Sequence, residues 1–322
     1  WGYYMKWTGV DNMEKYWDYV IARYGAYPCT WTLAGEVTLA YYTDLGENWS
    51  YYKTQFREQW SEVARHIHHT DPYHRLVTVH PGPGVNDGKP PVNDMGTIDF
   101  VMLQSGHSGF RTLPHATMNV RKNLDDYPQK PILHGEVCFE GMHGEGSGSK
   151  VQRFLFWSNM LMGTAGFSYG AEGIWQFNTT TEKFGASPGG NTWGNVPWEV
   201  AYTYPGSREV GIGKTILEQY QWWDLKPAPD LISFSAPDSI FIPYCATTKN
   251  VRIIYMFDFP SSWRNIRCTK LNKEKTYQVT FIDPITGDTY PYGIISADVK
   301  GEWKVPKPPI MQDWVLVLKE KL

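Results

Sequence analysis

The sequence is poor in charge and in long apolar runs, and each shortage excludes a class of protein. Only 20% of the 322 residues are charged, and the formal net charge is −3. A basic, nucleic-acid-binding surface is therefore not expected. No run of 18 apolar residues occurs, so we predict no membrane-spanning helix. No signal peptide is visible in the first residues. Disorder is excluded as well, because 42% of the residues are hydrophobic.

Cysteine is also scarce, and its spacing excludes a zinc ribbon. The four cysteines are Cys29, Cys138, Cys245 and Cys268, and none are paired at metal-ligand spacing. Cys245 and Cys268 lie in the same C-terminal region, where they could form a disulfide. The alternative is two buried free thiols, which is the usual state of free cysteine.

Two other groups of polar residues have some likeness to metal sites. His66, His68, His69 and His74 lie close together, but the segment reads as a helix end followed by Asp-Pro, where His is favoured by the helix dipole. The turn from Asp283 to Asp288 lacks the pattern of an EF-hand. We therefore predict no metal and no cofactor.

Aromatic residues are abundant: 15 Trp, 21 Tyr and 14 Phe make up 16% of the chain. Trp and Tyr combine a flat apolar ring with a polar group. Such rings suit the faces of sugars, but they also build ordinary cores.

Helical and extended patterns alternate from residue 11 to about residue 225. The apolar spacing predicts helices over 11–24, 49–68, 113–124, 151–162 and 208–223. Short apolar runs predict strands over 26–36, 75–80, 98–104, 131–136 and 167–170. This alternation is typical of an α/β fold with a buried parallel sheet. A (β/α)8 barrel needs eight such units; five are visible here, and an upstream segment with three more would complete one.

The pattern changes after Pro227, where helical periodicity disappears. Strands are predicted over 239–243, 251–257, 277–283 and 314–318, with turn residues between them. Short strands of this kind favour an antiparallel β-sandwich. With residues 226–230 as a linker, we divide the chain into a barrel over 1–226 and a sandwich over 227–322.

Polar residues follow the predicted strands of the first part. These strand-end residues are Glu36, His80, Gln104 with His107 behind it, and Glu136 with Glu140 in the next loop. A barrel builds its active site at the carboxyl ends of its strands. Glu36 and Glu136 each follow a glycine. One such Glu alone could be a helix cap or a surface residue. Two together fit glycosidic bond cleavage, which uses a pair of carboxylates on either side of the bond.

Five motifs in order resemble a known family. They are KYWDYVIARYGAYPCTWTLAGE, DPYHRLVTVHP, DFVMLQSGH, KPILHGEVCFEG and GFSYGAEGIWQF. Over roughly residues 1–225 the chain resembles the apiosidase-like glycoside hydrolases, family 140 and its relatives. The segments DPITGDTYPYG and DWVLVL resemble the small β-domain after that barrel, often labelled collagen-binding, a label that carries no functional expectation here.

The resemblance implies a (β/α)8 barrel with the acid/base after strand 4 and the nucleophile after strand 7. Counting back from the last unit places Glu36 at strand 4 and Glu136 at strand 7, so the resemblance implies that strands 4–8 are present and that strands 1–3 lie upstream of Trp1. One departure concerns specificity: the family's acid/base position can be Asp, so cleavage at apiose does not follow for a chain with Glu36. The resemblance also implies an extracellular or periplasmic location.

The remaining candidates are predicted to contact the substrate. His80, Gln104 and His107 are candidate donors to Glu136, the alternative for each being a structural polar residue. Glu140 is a candidate ligand for a sugar hydroxyl, or a loop carboxylate without a role. Trp175 is a candidate stacking platform, or a core residue.

Tyr169 could line the same wall as Trp175, whereas Trp31 lies within a predicted strand and is expected in the core. Specificity is expected to depend on the loops 141–150 and 178–200.

The expected function is hydrolysis of glycosidic bonds in plant or microbial polysaccharide by a pair of Glu residues, with retention of the anomeric configuration as the expected outcome. Two alternatives remain at this point: a non-catalytic carbohydrate-binding protein, and an adhesion protein led by the C-terminal domain. The expected partner is an oligo- or polysaccharide substrate, and the oligomeric state is not predicted.

Overall fold

A computed structural model describes residues 4–37, 49–82, 90–142, 144–181, 194–235, 239–257 and 265–321. Parts of the two predicted specificity loops, residue 143 and residues 182–193, lie outside these ranges. Among the described residues, no helix is both long and apolar enough to cross a lipid bilayer.

Helices and short parallel strands alternate in the first part of the chain. The helices are α1 (Met5–Tyr24), α2 (Trp49–Thr70), α3 (Leu113–Asp126), α4 (Ser149–Met162), α5 (Trp198–Ala201) and α6 (Pro205–Glu218). The strands are β1 (Trp31–Thr32), β2 (Val77–Thr78), β3 (Val101–Gln104), β4 (Ile132–Glu136) and β5 (Gly166–Phe167). This order confirms the α/β class predicted from the sequence.

All strand pairs in this part are parallel. β1 pairs with β2, and β4 lies between β3 and β5. Asp99 joins the two groups, because its N–H donates to Val77 O and its carboxylate accepts the Val77 N–H. The five strands therefore follow one another in chain order, with their carboxyl ends at one edge.

Proline and glycine mark the first or last turns of several helices. Pro114 and Pro205 stand in the first turns of α3 and α6, where a missing N–H is tolerated. Gly163 ends α4 in the left-handed region, at φ +100°. The helix α1 begins earlier than predicted, with a kink at Gly9.

The C-terminal part is built from two antiparallel sheets, as predicted. The strands are β6 (Lys226–Pro227), β7 (Ile232–Ser233), β8 (Tyr244–Thr247), β9 (Val251–Met256), β10 (Arg267–Cys268), β11 (Thr276–Ile282), β12 (Thr289–Ser296), β13 (Trp303–Lys304) and β14 (Trp314–Glu320). One sheet has the order β12-β11-β14-β9-β8-β6, the other β13-β10-β7. A core cluster containing Ile254, Cys268 and Leu316 lies between the two sheets.

Two sequence expectations for this part need correction. Residues 226–230 are not a free linker, because β6 pairs with β8 and a short 3-10 helix spans Pro229–Leu231. Residues 239–243 are not a strand: the Phe241 N–H donates to Ser239 Oγ in a turn. Of the two alternatives left open for Cys245 and Cys268, the structure has the pair of buried free thiols.

One apolar cluster crosses from the helices to the C-terminal sheet. Phe154 and Trp157 of α4 belong to it together with Tyr255 and Val315 of the sheet. The rings of Trp157 and Tyr255 stack at 6.0 Å with 15° between their planes. Arg153 of α4 also reaches Asp313 through two hydrogen bonds of 2.8 and 2.9 Å. The sheet is thus part of the support of α4.

Candidate active site

The strand ends bring the two predicted carboxylates to the same place. Glu136 is the last residue of β4, and Gln104, the last residue of β3, is its register partner. Glu36 follows β1 with a backbone φ of +44°, which is uncommon for a residue with a side chain. The next N–H, that of Val37, donates to His80 O and fixes this bend beside β2.

A single amide nitrogen sets the spacing of the carboxylates. Gln104 Nε2 donates to Glu136 Oε1 at 2.7 Å and to Glu36 Oε1 at 3.1 Å. The two oxygens are therefore no more than about 5.8 Å apart, which is the two bonds end to end. An amide NH2 directs its hydrogens about 120° apart, which brings the separation to about 5 Å.

Two histidines complete the surroundings of Glu136. His107 Nε2 lies 2.8 Å from Glu136 Oε1, and His80 Nε2 lies 2.9 Å from Glu136 Oε2. The Phe139 N–H donates to His107 Nδ1, so neutral His107 carries its proton on Nε2 and donates it to Glu136. His80 Nδ1 faces the Pro81 carbonyl at 2.8 Å. Both nitrogens of His80 thus face acceptors, which requires the imidazolium form.

The pKa directions separate the two carboxyl groups. Burial opposes ionisation of Glu136, but the hydrogen bonds from His107 and His80 outweigh it and lower its pKa to about 2. Burial raises the pKa of Glu36, and the neighbouring Glu136 charge adds to the effect. For His80, the Glu136 hydrogen bond and charge outweigh burial and raise its pKa. Glu136 therefore stays ionised far below neutral pH, beside a histidine whose protonated form it stabilises.

Glu140 lies beneath the surface and holds Tyr169. Its side chain is buried, and its Oε2 accepts the Tyr169 hydroxyl at 2.6 Å and the Gly206 N–H at 2.9 Å. Burial raises the pKa of Glu140. The structure therefore brings Glu140 and Tyr169 together, with the acid occupied by protein donors.

Trp175 is linked to Glu136 through a ring that the sequence analysis missed. The Phe139 ring lies 4.4 Å from the His107 ring and 6.3 Å from the Trp175 ring. Trp175 is 43% exposed, whereas Trp31 is buried as expected. Phe139 follows Glu136 by three residues, and only its place between two predicted site residues could have indicated it.

The histidine group on α2 has a structural environment. His66 Nε2 lies 2.7 Å from Asp18 of α1, and its Nδ1 lies 3.8 Å from Glu14. Within the ranges described above, no group of three or more His, Cys, Asp and Glu side chains is arranged to hold a metal ion.

Comparisons with known proteins show a similar fold. One solved structure, described as a glycoside hydrolase, is similar with a TM-score of 0.71 and 19% identity, over 97% of this chain and 69% of its own. A family 5 glycoside hydrolase from Bacteroides vulgatus gives a TM-score of 0.72 and 19% identity, over 96% and 67%. The comparison with curated proteins finds no match.

The comparison with models of protein families goes further than these structural similarities, because it matches the sequence itself. It supports glycosidase activity. Residues 1–224 match the model of the apiosidase-like catalytic domain, and the chain therefore belongs to the apiosidase-like family of glycoside hydrolases.

Proposed function

We propose that the chain is a retaining glycoside hydrolase in which Glu136 is the nucleophile and Glu36 the general acid/base. The observation that carries the proposal is the Gln104 bridge, which keeps the carboxylate oxygens within about 5.8 Å. Retaining enzymes place their carboxyl groups about 5–5.5 Å apart, and inverting enzymes about 6.5–9.5 Å. A non-catalytic binding protein would be favoured by a separation above about 10 Å.

The charge states support the same roles. In the first step, Glu36 gives its proton to the glycosidic oxygen while Glu136 attacks the anomeric carbon and the carbon–oxygen bond breaks. In the second, the Glu36 carboxylate takes a proton from water, whose oxygen attacks the same carbon and releases Glu136. A raised pKa suits the proton donor, and a pKa of about 2 suits the nucleophile.

The supporting residues have distinct proposed tasks. His80 and His107 hold the orientation of Glu136, and Gln104 holds its distance from Glu36. Trp175 offers an exposed ring to a sugar face, and Tyr169 lines the same wall. Glu140 positions Tyr169 through the 2.6 Å hydrogen bond and does not itself meet the sugar.

The scaffold we propose for this site is a (β/α)8 barrel in which β1 to β5 are strands 4 to 8. The five parallel strands in chain order and the site at their carboxyl edge support it. Such a barrel needs three strands in addition to these five. The expected substrate is an oligo- or polysaccharide.

The first test is the Glu136→Gln variant on a panel of nitrophenyl glycosides. The amide cannot attack the anomeric carbon, so turnover should fall by at least about 10³-fold. Glu58→Gln, at an exposed position of α2, is the matched control and should keep full turnover. Turnover of Glu136→Gln equal to that of the control would refute the assignment.

A further inference from the structure

A second aromatic surface lies beyond Trp175, on the segment that follows β5. Phe177 is 64% exposed, Trp198 37% and Tyr202 62%. The Phe177 and Trp198 rings are 6.1 Å apart with only 6° between their planes, and Tyr202 lies 5.9 Å from Trp198. Face-to-face contact would be closer, so the rings are offset and each leaves part of a face open.

Buried polar contacts hold these rings in place. Asn178 is fully buried; its O accepts the Trp198 N–H at 2.8 Å, and its Nδ2 donates to Val196 O at 3.3 Å. The Asn178 N–H itself donates to Gly173 O. The side chain and backbone of Asn178 thus connect the segment of Phe177 to the segment of Trp198, and the backbone positions of the exposed rings are held by hydrogen bonds.

The backbone of Phe177 is in the left-handed region, at φ +55°. A bulky residue rarely adopts this conformation, because holding a side chain there strains the backbone. Burial of the ring does not compensate, because most of the Phe177 side chain faces solvent. An exposed apolar ring on a strained backbone is expected where the ring meets a ligand.

The position and charge of this surface indicate what the ligand is. The ring contacts from His107 through Phe139 to Trp175 lead from Glu136 to the start of the same segment. The described residues 171–181 and 194–204 contain Glu172 and Glu199 but no Lys, Arg or His. The carbon–hydrogen faces of a pyranose suit the negative faces of aromatic rings. Glu172 is buried, so the partly exposed Glu199 is the acid that a ligand could approach, and an acidic sugar would find no cation from these segments to balance its charge.

We propose that Phe177, Trp198 and Tyr202 form a binding site for neutral pyranose units of a polysaccharide, away from the scissile bond. This inference rests on the proposed function, because it takes the glycan held at Glu136 to continue along the rings. With such a site, the enzyme would act on a polysaccharide that contains neutral sugars rather than on an isolated glycoside.

The test uses affinity electrophoresis of the full chain carrying Glu136→Gln, in gels containing xyloglucan, galactomannan or polygalacturonate. Adding Trp198→Ala or Phe177→Gly should weaken retardation by a neutral polysaccharide by about 5–10-fold. Adding Trp223→Ala, which removes a ring that is 62% exposed elsewhere, is the matched control and should change nothing.

Phe177→Gly separates binding from folding. Glycine tolerates the positive φ, so this variant should keep or raise the melting temperature while it weakens binding. Turnover of a nitrophenyl monoglycoside by Phe177→Gly, with Glu136 intact, should stay within about twofold of the parent.

Four results would overturn the proposal. They are unchanged retardation in Phe177→Gly and Trp198→Ala, retardation by polygalacturonate alone, no retardation of the parent by any neutral polysaccharide, and a dimer that only these variants dissociate. The last would assign the rings to a second copy of the chain. Failure of the proposed catalysis is distinguishable, since nitrophenyl glycosides would then remain intact while the rings still governed retardation.

Discussion

At the scale of single residues, two glutamates with the same side chain are given opposite tendencies by their neighbours. Glu136 receives hydrogen bonds from His80, His107 and Gln104, whereas Glu36 receives one from Gln104. The former pattern stabilises the anion, whereas burial raises the pKa of Glu36 and favours its protonated form. The roles proposed for Glu36 as acid and Glu136 as nucleophile therefore follow from the number and charge of the donors around each carboxylate.

The pH dependence of kcat/KM should show these tendencies directly. Activity needs ionised Glu136 and protonated Glu36. On the acid side of the profile, kcat/KM should fall only as the pH approaches the Glu136 pKa of about 2. As pH rises through the Glu36 pKa, which burial holds above 4.5, the acid loses its proton and kcat/KM falls.

Glu36→Gln isolates this effect when parent and variant are both measured on a nitrophenyl glycoside, whose leaving group still departs, more slowly, without a proton from Glu36. The amide does not titrate, so the Glu36 fall should disappear. Only a fall above pH 6.5, where His80 loses its proton, should remain. An unchanged profile in Glu36→Gln would show that another group is the acid.

Most of the site residues could be predicted because each follows an apolar strand. Glu36, His80, Gln104 and Glu136 all stand at or just after strand ends, and parallel strands bring such positions together. The bridge from Gln104 to both carboxylates could not be predicted, because it depends on side-chain geometry. The same is true of Glu140, whose burial against Tyr169 and the Gly206 N–H depends on how α6 packs.

At the scale of elements, helices could be predicted more accurately than strands. The predicted helix over 113–124 is found at Leu113–Asp126, but the predicted strand over 26–36 shrinks to Trp31–Thr32. Pro28 cannot donate to a ladder, and the residues around it turn. The strand β12 was missed because its interior holds Pro291 and Gly293, which an edge strand tolerates.

The buried ion pairs of α4 lead to a stability prediction. Arg153 binds Asp313 through two hydrogen bonds and Glu209 at 2.5 Å, and the Tyr255 hydroxyl donates to Asp313. Asp313→Asn removes one partner of this buried network, which should lower the free energy of unfolding by about 3–5 kcal/mol.

Urea titration measures the loss, and the exposed Lys214–Glu218 pair supplies a control. Glu218→Gln should change the free energy of unfolding by less than about 0.5 kcal/mol. An Asp313→Asn variant as stable as Glu218→Gln would mean that the network contributes little to the position of α4.

At the scale of the whole molecule, the two predicted parts share a core. The cluster that contains Phe154 and Trp157 continues into Tyr255, Val315 and Val317 of the C-terminal sheet. The change from helices to strands near Pro227 could be predicted from the sequence. The contact between α4 and the sheet could not, because an apolar strand pattern indicates burial but not which element packs against the strand. The sheet thus packs against the helices of the catalytic part and helps to stabilise them.

Unfolding should accordingly be cooperative. Thermal transitions followed by Trp fluorescence and by far-UV circular dichroism should coincide in the full chain, and the separate segment 227–322 should associate through its exposed apolar face. Two separate transitions, or a stable monomeric 227–322 segment, would show an independent domain.

The measurement that tests the central claim most directly is the anomeric configuration of the glycosyl azide formed by two alanine variants. With an activated aryl glycoside and azide, Glu136→Ala should release an azide of inverted configuration, because azide attacks from the place of the missing nucleophile. Glu36→Ala should release one of retained configuration, because azide replaces water in the second step. The opposite pairing, or inverted product from the unaltered enzyme, would contradict the assignment of Glu136 as nucleophile and Glu36 as acid/base.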